Sequence, residues 1–556
     1  MSIPVEQRMG LHNKNNHKIF SILIILWIVQ SIITAYYTEL YSDEAYYWMY
    51  SQFLDWGYFD HPPGVGAMIW LGSFLGKTEL AVRIVNIFIC AGALVLMYIQ
   101  VKPKNPLLFG LTIFSFLSLH ILGFVSLPDT PFYFFAILFL VFYKNFLEKE
   151  SLKNQLLLGL SAALMLYSKY HGVLVILFVI MSNPKLLTNY RFYTAGFIGV
   201  LLFLPHIWWQ ISHKFPSLQY HLIDRGSQYK IGHTLEYILG NIPFHGGVVA
   251  LALFVATFYY RATSLWEKSL KWNLYGTLVF FFFITFKGQH IEPNWTIFCL
   301  FPLFYFGYKV IETSKWLKAY YVTVIIFSTL LLVAKIHLIH PFFIAEKDRV
   351  WDFHLSRNFA KQAELIAGDR IIAANSYQSA SLLNFYTNKD YFISALNINS
   401  RANQYSFWTF DSLLCNTDIA YIYGGGHLGG EAIQGRRFYI ENVALIDNVT
   451  SLNYIRIVEP EMQVTDSSVH ISLHAIKNYS KDCTLEDDLH LEANMYQGDT
   501  LIAQHHIPFE IESPESLPQK LEFNIAVEQP ERVEKILLKL YSPKLGGSNN
   551  KYVVID

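Results

Sequence analysis

The stretch IFSILIILWIVQSIITAYY, residues 19–37, followed three residues later by YSDEAYYWMYSQFLDWGYFDHPPG, residues 41–64, decides how this chain is read. The first segment is long and apolar enough to cross a bilayer, which needs about 20 such residues. No small-residue cleavage site follows it, so it is read as a retained span rather than a removed leader. The second segment is crowded with carboxylates and aromatic rings, as at the mouth of a membrane helix. Composition extends that reading to the whole chain. Of 556 residues, 53% are hydrophobic, 17% aromatic and only 15% charged, with a net charge of −1. Soluble proteins carry about 25% charge. The near-zero net charge removes the basic footprint of a nucleic-acid binder. Four cysteines are too few for a disulfide framework or a multi-cysteine metal site.

Further apolar runs lie near 80–101, 107–125, 131–146, 155–168, 172–183, 192–209, 245–260, 272–286, 294–310 and 318–337. With the first, they predict about eleven crossings. Lys and Arg gather on cytoplasmic loops, and alternate loops here are basic: Lys102/Lys104, Lys144/Lys149/Lys153, Lys185/Arg191, Arg261/Lys268/Lys271 and Lys309/Lys315/Lys318. The opposite loops hold Asp43, Asp55, Asp60, Asp129, Asp224 and Glu292. The pattern predicts an N-terminus inside and a region beyond 340 outside. That region reads as α/β over 341–457, with strands at 370–374 and 418–423 around a helix at 377–385. Over 458–556 it reads as a small β-sandwich, because period two appears at 470–474, 489–495, 521–527 and 535–541. Gly424-Gly425-Gly426 lacks any phosphate fingerprint beyond its glycines and is read as a turn. Cys415 and Cys483 share the oxidising side and could pair. Cys90 and Cys299 fall inside spans.

Ionisable groups near the membrane are costly and point to function; here they concentrate in four outer loops. Asp43 and Glu44 sit at the end of a span under aromatic residues. They suit a general base near the membrane surface, or are solvated acids in an aromatic belt. Asp129, between Pro128 and Pro131, either completes an acidic pocket or caps the next helix. Lys169, in Ser168-Lys169-Tyr170-His171, either binds a phosphate or snorkels to the headgroup zone. The fourth loop is KGQHIEPNW, residues 287–295. The loop 206–230, with Trp208, Trp209, His213, Asp224 and Arg225, is expected to overlie the pocket.

Taken in order, Asp43-Glu44, the DWGYFDHPPG run, Pro128-Asp129-Thr130-Pro131, Ser168-Lys169-Tyr170 and Asn294-Trp295 resemble the glycosyltransferase C superfamily. The likeness is to its bacterial branch related to protein O-mannosyltransferases and the lipid A aminoarabinose transferase (family 39/83-like). It covers about residues 15–340, and less distinctly 370–410. It implies a transmembrane transferase domain over 1–340. Such enzymes move a sugar from a polyprenyl-phosphate carrier to an acceptor hydroxyl of a lipid, glycan or protein, with inversion.

Carried onto this chain, the resemblance makes Asp43 the base, Glu44 its orienting or proton-sharing neighbour, and Asp129 the completion of the acidic pocket. Lys169 would stabilise the leaving phosphate, with Arg83 and Lys287 behind it. Tyr46, Tyr47, Trp56 and Tyr58 would border the sugar or prenyl chain. Asp60, His61, His171, His290, Asn294 and Trp295 would complete the pocket. Asp43, His61, Glu79 and Asp129 could hold zinc, manganese or magnesium, although no ligand spacing fixes this and superfamily members differ in metal use. The competing reading is a transporter or flippase of lipid-linked sugars. It predicts internal repeats and broken spans near the midplane, and no repeat is visible.

Overall fold

The structure, a computed structural model, describes residues 5–220, 229–342, 349–425, 428–434, 440–465, 467–479, 483–485, 488–498, 500–509, 519–527, 529–548 and 553–555. Asp224 and Arg225 of the expected overlying loop, and Gly426 of the expected glycine turn, lie outside these residues. The chain divides into two compact units, Met1–Ile344 and Ala345–Asp556.

The first unit is helical. Its opening helices are α1 (Val5–Tyr37), α2 (Ser42–Gln52), α3 (Gly64–Gly72), α4 (Glu79–Val101) and α5 (Pro106–Phe114). There follow α6 (Leu117–Phe124), α7 (Asp129–Glu148), α8 (Leu152–Ser168), α9 (Gly172–Ser182) and α10 (Tyr190–Ser212). Local chemistry sets their starts. Thr78 Oγ1 accepts the Ala81 N–H at the head of α4, and Asn105 Oδ1 accepts the Leu108 N–H before Pro106 opens α5. Each side-chain oxygen satisfies a backbone donor that the first helical turn leaves without a partner.

Among the described residues five helices are long and apolar enough to cross a membrane unaided, or seven if two sharply bent pairs each count as one crossing. By that measure the expected count of about eleven is not reached, and the breaks have local causes. The run 107–125 bends by 77° between α5 and α6, and His120 Nε2 donates to the Phe114 carbonyl exposed by the bend at 2.9 Å. The run 245–260 is bent by 104° between Ile231–His245 and Gly247–Thr257. There Gly246 takes φ 142°, and a Cβ on it would lie 3.2 Å from the Phe116 ring, so only glycine fits. The runs 272–286 and 294–310 contain the wide turns Trp272–Gly276 and Phe304–Tyr308 and the tight turn Pro293–Cys299.

Among its described residues the second unit carries three sheets. The first has the order β2-β1-β3-β5-β4, from β1 (Ile371–Ala374), β2 (Ser394–Ala395), β3 (Thr417–Gly424), β4 (Glu431–Gln434) and β5 (Ile440–Val449). Here β1 is parallel to β2 and β3, and β5 is antiparallel to β3 and β4. A helix, Tyr377–Tyr386, follows β1 as expected. The remaining strands are β6 (Ile455–Val464), β7 (Ser468–Lys477), β8 (His490–Gln497), β9 (Thr500–Pro508), β10 (Gln519–Ala526), β11 (Lys535–Ser542), β12 (Gly547–Ser548) and β13 (Val553–Ile555). They form the sheets β10-β7-β6 and β12-β11-β8-β9, with β13 on β11.

Period-two burial holds these sheets together. Val469, Ile471, Leu473 and Ala475 of β7 share one core with Leu491, Ala493 and Met495 of β8 and Ile536, Leu538 and Leu540 of β11. That core also takes in Ile419, Tyr421 and Tyr423 of β3, so the α/β and β-rich parts have separate sheets and a common interior. Cys415 and Cys483 form a disulfide, the pairing the sequence left open. Cys90 and Cys299 are free and buried.

Candidate active site

The adjacent carboxylates at the head of α2 have different fates. Glu44 is fully buried. It accepts from Arg83 Nε at 2.9 Å on Oε1 and from Arg83 Nη2 at 2.6 Å on Oε2. Backbone donors complete its shell: Ser126 N–H at 2.8 Å and Tyr41 N–H at 3.1 Å. Arg83 also donates to the carbonyls of Ala35, Thr38 and Glu39 and to Thr38 Oγ1. All three guanidinium nitrogens are thus engaged inside the protein, so Arg83 belongs to the frame of the site. Its expected place among the phosphate ligands is corrected accordingly, and Glu44 is Arg83's bidentate partner. Asp43, in the same first turn, is only half-buried.

A second ion pair joins three distant segments. Asp129 is the first residue of α7, and Lys169 directly follows α8. Lys169 Nζ donates to Asp129 Oδ1 at 2.6 Å, and Asn294 Nδ2 donates to Oδ2 at 3.0 Å. Asp129 and Lys169 are both buried. Asp129 therefore anchors a lysine and an asparagine as well as opening a helix, where a carboxylate also complements the helix dipole.

The aromatic loop is built by close approach. A Cβ on Gly57 would lie 2.5 Å from Trp209 Cε3, and one on Gly64 would lie 2.7 Å from the Tyr167 carbonyl oxygen. Over this contact Trp209 Nε1 donates to Asp55 Oδ2 at 2.8 Å, and His206 Nδ1 donates to the Trp56 carbonyl at 2.7 Å. His206 Nε2 is then the acceptor of its ring, and the Tyr170 hydroxyl donates to it at 3.1 Å. Gln210 Nε2 donates to that hydroxyl and to Ser217 Oγ, which donates to the Tyr58 carbonyl. The sequence placed His206 and Trp209 in an overlying loop; they stand on the last turns of α10 and grip the loop directly.

Tyr58 stacks on Tyr50 at 3.8 Å and its hydroxyl donates to the Tyr50 and Phe53 carbonyls, which makes it a structural post. Tyr46 donates to Asp60 Oδ2 at 2.7 Å. His61 meets the Tyr47 ring edge-on at 5.6 Å. Trp56 is exposed and lies 6.2 Å from the Tyr167 ring. Burial pushes the Tyr50, Tyr58 and Tyr170 phenols up; for Tyr50 the Tyr46 and Asp60 charges add to it.

The remaining candidates divide. His171 packs on Trp295 at 5.1 Å and on Phe281 at 5.6 Å, near Asn294 in sequence. His290 is more exposed and pairs with Glu236 at 3.1 Å and Glu292 at 3.4 Å. Lys287 is exposed. Glu79 is the buried first residue of α4. Among the described residues no three of His, Cys, Asp and Glu gather to hold a metal ion, so the expected set Asp43, His61, Glu79 and Asp129 does not assemble. Asp129 is already committed to Lys169 and Asn294.

One buried cation escaped the sequence reading. Lys335, inside the helix Leu317–Ile339, donates to Gln30 Oε1 at 2.9 Å and lies 5.6 Å from the Phe124 ring, which Arg83 Cζ approaches to 5.5 Å. Its signal was a charge within an apolar run.

Comparison with known proteins bears on this arrangement. Residues 60–209 match the family model described as dolichyl-phosphate-mannose-protein mannosyltransferase. A stretch of 251 residues is 26% identical to the lipid A galacturonosyltransferase RgtD of Rhizobium johnstonii, taking in 42% of this chain and 53% of that one. The crystal structure of ArnT from Cupriavidus metallidurans in the apo state matches with a TM-score of 0.56 at 10% identity, over 76% of this chain and 97% of ArnT. The ArnT structure bound to undecaprenyl phosphate matches with a TM-score of 0.54 at 9% identity, over the same shares. The chain shares the fold of ArnT and, over residues 60–209, is similar to that mannosyltransferase family.

The match spans about half the length of RgtD. The family-matched segment 60–209 contains Asp60, His61, Glu79, Arg83, Asp129, Lys169 and His171. Asp43 and Glu44 precede it, and Lys287, His290, Asn294 and Trp295 follow it. The Glu44–Arg83 and Asn294–Asp129 contacts tie those outlying residues to the matched segment.

Proposed function

We propose that this protein transfers a sugar from a polyprenyl-phosphate carrier to a hydroxyl of a lipid acceptor, with inversion, at the outer face of a bacterial cytoplasmic membrane. The observation that carries the reading is the contrast between neighbouring carboxylates: Glu44 is sealed against Arg83 while Asp43 is half-buried in the same helical turn. A base must reach the substrate from a fixed frame, and the half-burial of Asp43 beside the sealed Glu44 supports that role. A carrier of the undecaprenyl-phosphate class is supported by the ligand of the ArnT structure, and a lipid acceptor by the lipid A named for RgtD.

In the proposed step Asp43 takes the proton from the acceptor hydroxyl as that oxygen attacks the anomeric carbon. The bond from that carbon to the carrier phosphate oxygen breaks, and the phosphate leaves with the electron pair. Attack opposite the phosphate inverts the anomeric centre. Lys169, held by Asp129, stabilises the charge that develops on the phosphate, with exposed Lys287 as a second cation. Tyr47, His61 and Trp56 border the sugar. The transferase lies in residues 1–340, and the regions 341–457 and 458–556 lie outside the membrane. The alternating basic loops and the Cys415–Cys483 bond support that orientation.

The test is purified protein in nanodiscs with a panel of polyprenyl-phosphate sugars and a lipid A acceptor, scored by mass spectrometry for released carrier phosphate. Release by the wild type and not by Asp43→Asn is expected. Full release by Asp43→Asn would remove Asp43 as the base. Absence of release with every donor would turn attention to transport of the lipid-linked sugar, measured as flipping in proteoliposomes.

A further inference from the structure

We infer that the end of the membrane unit opposite Asp43 binds the phosphate headgroup of an anionic phospholipid through Lys102, Lys144, Lys271 and Lys309. These lysines are far apart in sequence and meet at one place. Arg83 and Asp129 stand at the first turns of α4 and α7, whereas Lys102 caps the last turn of α4 and Lys144 lies near the last turn of α7. At about 1.5 Å per residue, the 23 residues of α4 put this cluster the thickness of a bilayer away from the site. Lys271 ends the helix Leu265–Lys271, and Lys309 opens the short helix Lys309–Ile311.

The meeting place is an aromatic platform. Lys144 Nζ lies 4.9 Å from the Trp266 ring and Lys309 Nζ 3.7 Å from the Tyr305 ring, and those two rings meet edge-on at 5.0 Å. Lys271 Nζ lies 5.5 Å from Phe306, which is 5.1 Å from Tyr305. The turn after Lys102 is tied to the same place, because the Asn105 N–H donates to Glu312 and the Tyr308 hydroxyl donates to the Asn105 carbonyl at 2.8 Å.

The two carboxylates do not neutralise this cluster by direct pairing. Glu267 accepts from the Tyr260 hydroxyl at 2.7 Å, the Tyr305 hydroxyl at 3.0 Å, and Thr263 N–H and Oγ1 at 2.8 and 2.9 Å. Glu312 accepts the Asn105 N–H at 2.7 Å. Among the described residues none of the four lysines forms an ion pair. Lys271 Nζ also donates to the Tyr260 and Thr257 carbonyls, which takes two of its three donors, and the four ammoniums still outnumber two carboxylates already taken up by neutral donors, a surplus that suits a phosphate.

The occupant is a lipid rather than a free anion because of what flanks the lysines. Phe258, Tyr259, Leu265 and Trp272 are all exposed beside them, as interfacial aromatic and apolar residues are where acyl chains begin. Lysines that merely snorkel reach for water singly, whereas these share one set of rings.

The experiment is native mass spectrometry of the full chain released from detergent after exposure to an equimolar mixture of phosphatidylglycerol and phosphatidylcholine. Wild type is expected to retain phosphatidylglycerol in preference, and Lys144→Gln/Lys309→Gln to lower that preference roughly tenfold. An unchanged preference in the double variant overturns the assignment of these lysines. Parity between the two lipids on the wild type overturns the site itself, whatever the variant does. A second arm adds inorganic phosphate at millimolar concentration. Loss of the phosphatidylglycerol adducts there would reassign the site to a free phosphate.

Discussion

Arg83 closes on Glu44 with two parallel hydrogen bonds, from Nε at 2.9 Å and Nη2 at 2.6 Å, and both side chains are fully buried. Removing one partner of a buried pair strands the other's charge, which costs about 3–5 kcal/mol. Glu44→Gln is therefore expected to lower the thermal unfolding temperature sharply. Asp43→Asn, one residue away and half-buried, should unfold close to wild type yet lose sugar transfer. Thermal unfolding in detergent beside the carrier-release assay separates the two. An Asp43→Asn variant as unstable as Glu44→Gln would assign both residues to the frame.

Lys169 has two roles to distinguish, as partner of Asp129 and as ligand of the leaving phosphate. Asp129→Asn and Lys169→Ala should both destabilise, and together by less than their sum, because the residues touch. Only Lys169→Ala should raise the donor KM, or lower kcat if its contact strengthens in the transition state. Identical donor dependence in the two variants would move the phosphate contact toward Lys287.

Gly57→Ala tests how tightly the aromatic loop is held. The added Cβ would lie 2.5 Å from Trp209, so ring or loop must shift. Overpacking of this kind costs about 1–3 kcal/mol. We expect lower stability and weakened transfer, with partial recovery in Gly57→Ala/Trp209→Leu. A Gly57→Ala variant indistinguishable from wild type would show the loop to be loosely docked.

Tyr50, Tyr58 and Tyr170 are phenols pushed up from their ordinary value by burial. A group raised in the folded state contributes stability that is complete below its unfolded pKa, about 10 for tyrosine, and is lost as pH climbs toward the folded value. Unfolding free energy should thus be insensitive to these groups below pH of about 10 and fall above it. Tyr170→Phe should flatten part of the fall, readable as stability against pH. A fall of unchanged slope in Tyr170→Phe would exclude that residue.

The legible parts of this chain were those governed by short-range patterns. Period two located β7, β8, β10 and β11, because each buries alternate residues in one core. Apolar runs located α1, α4, α7, α10 and the helix Leu317–Ile339. The runs 107–125 and 245–260 were read as unbroken, since the 77° and 104° bends arise from packing around Phe116 and from backbone conformations that hydropathy does not register. Within the site, Asp129, Lys169 and Asn294 were picked out separately, and their meeting is a tertiary fact. Arg83 was misread because a basic residue near a phosphate chemistry invites that role. Its commitment to Glu44 and to three carbonyls of the preceding segment depends on how α1 ends against α4.

The Cys415–Cys483 bond closes a span of 68 residues, and that length sets an order of events during synthesis. Chains emerge at about 5–20 residues per second, so Cys415 waits on the order of ten seconds for its partner. Strands β3, β5, β6 and β7 are all made in that interval. Those strands are therefore all synthesised before the bond can close.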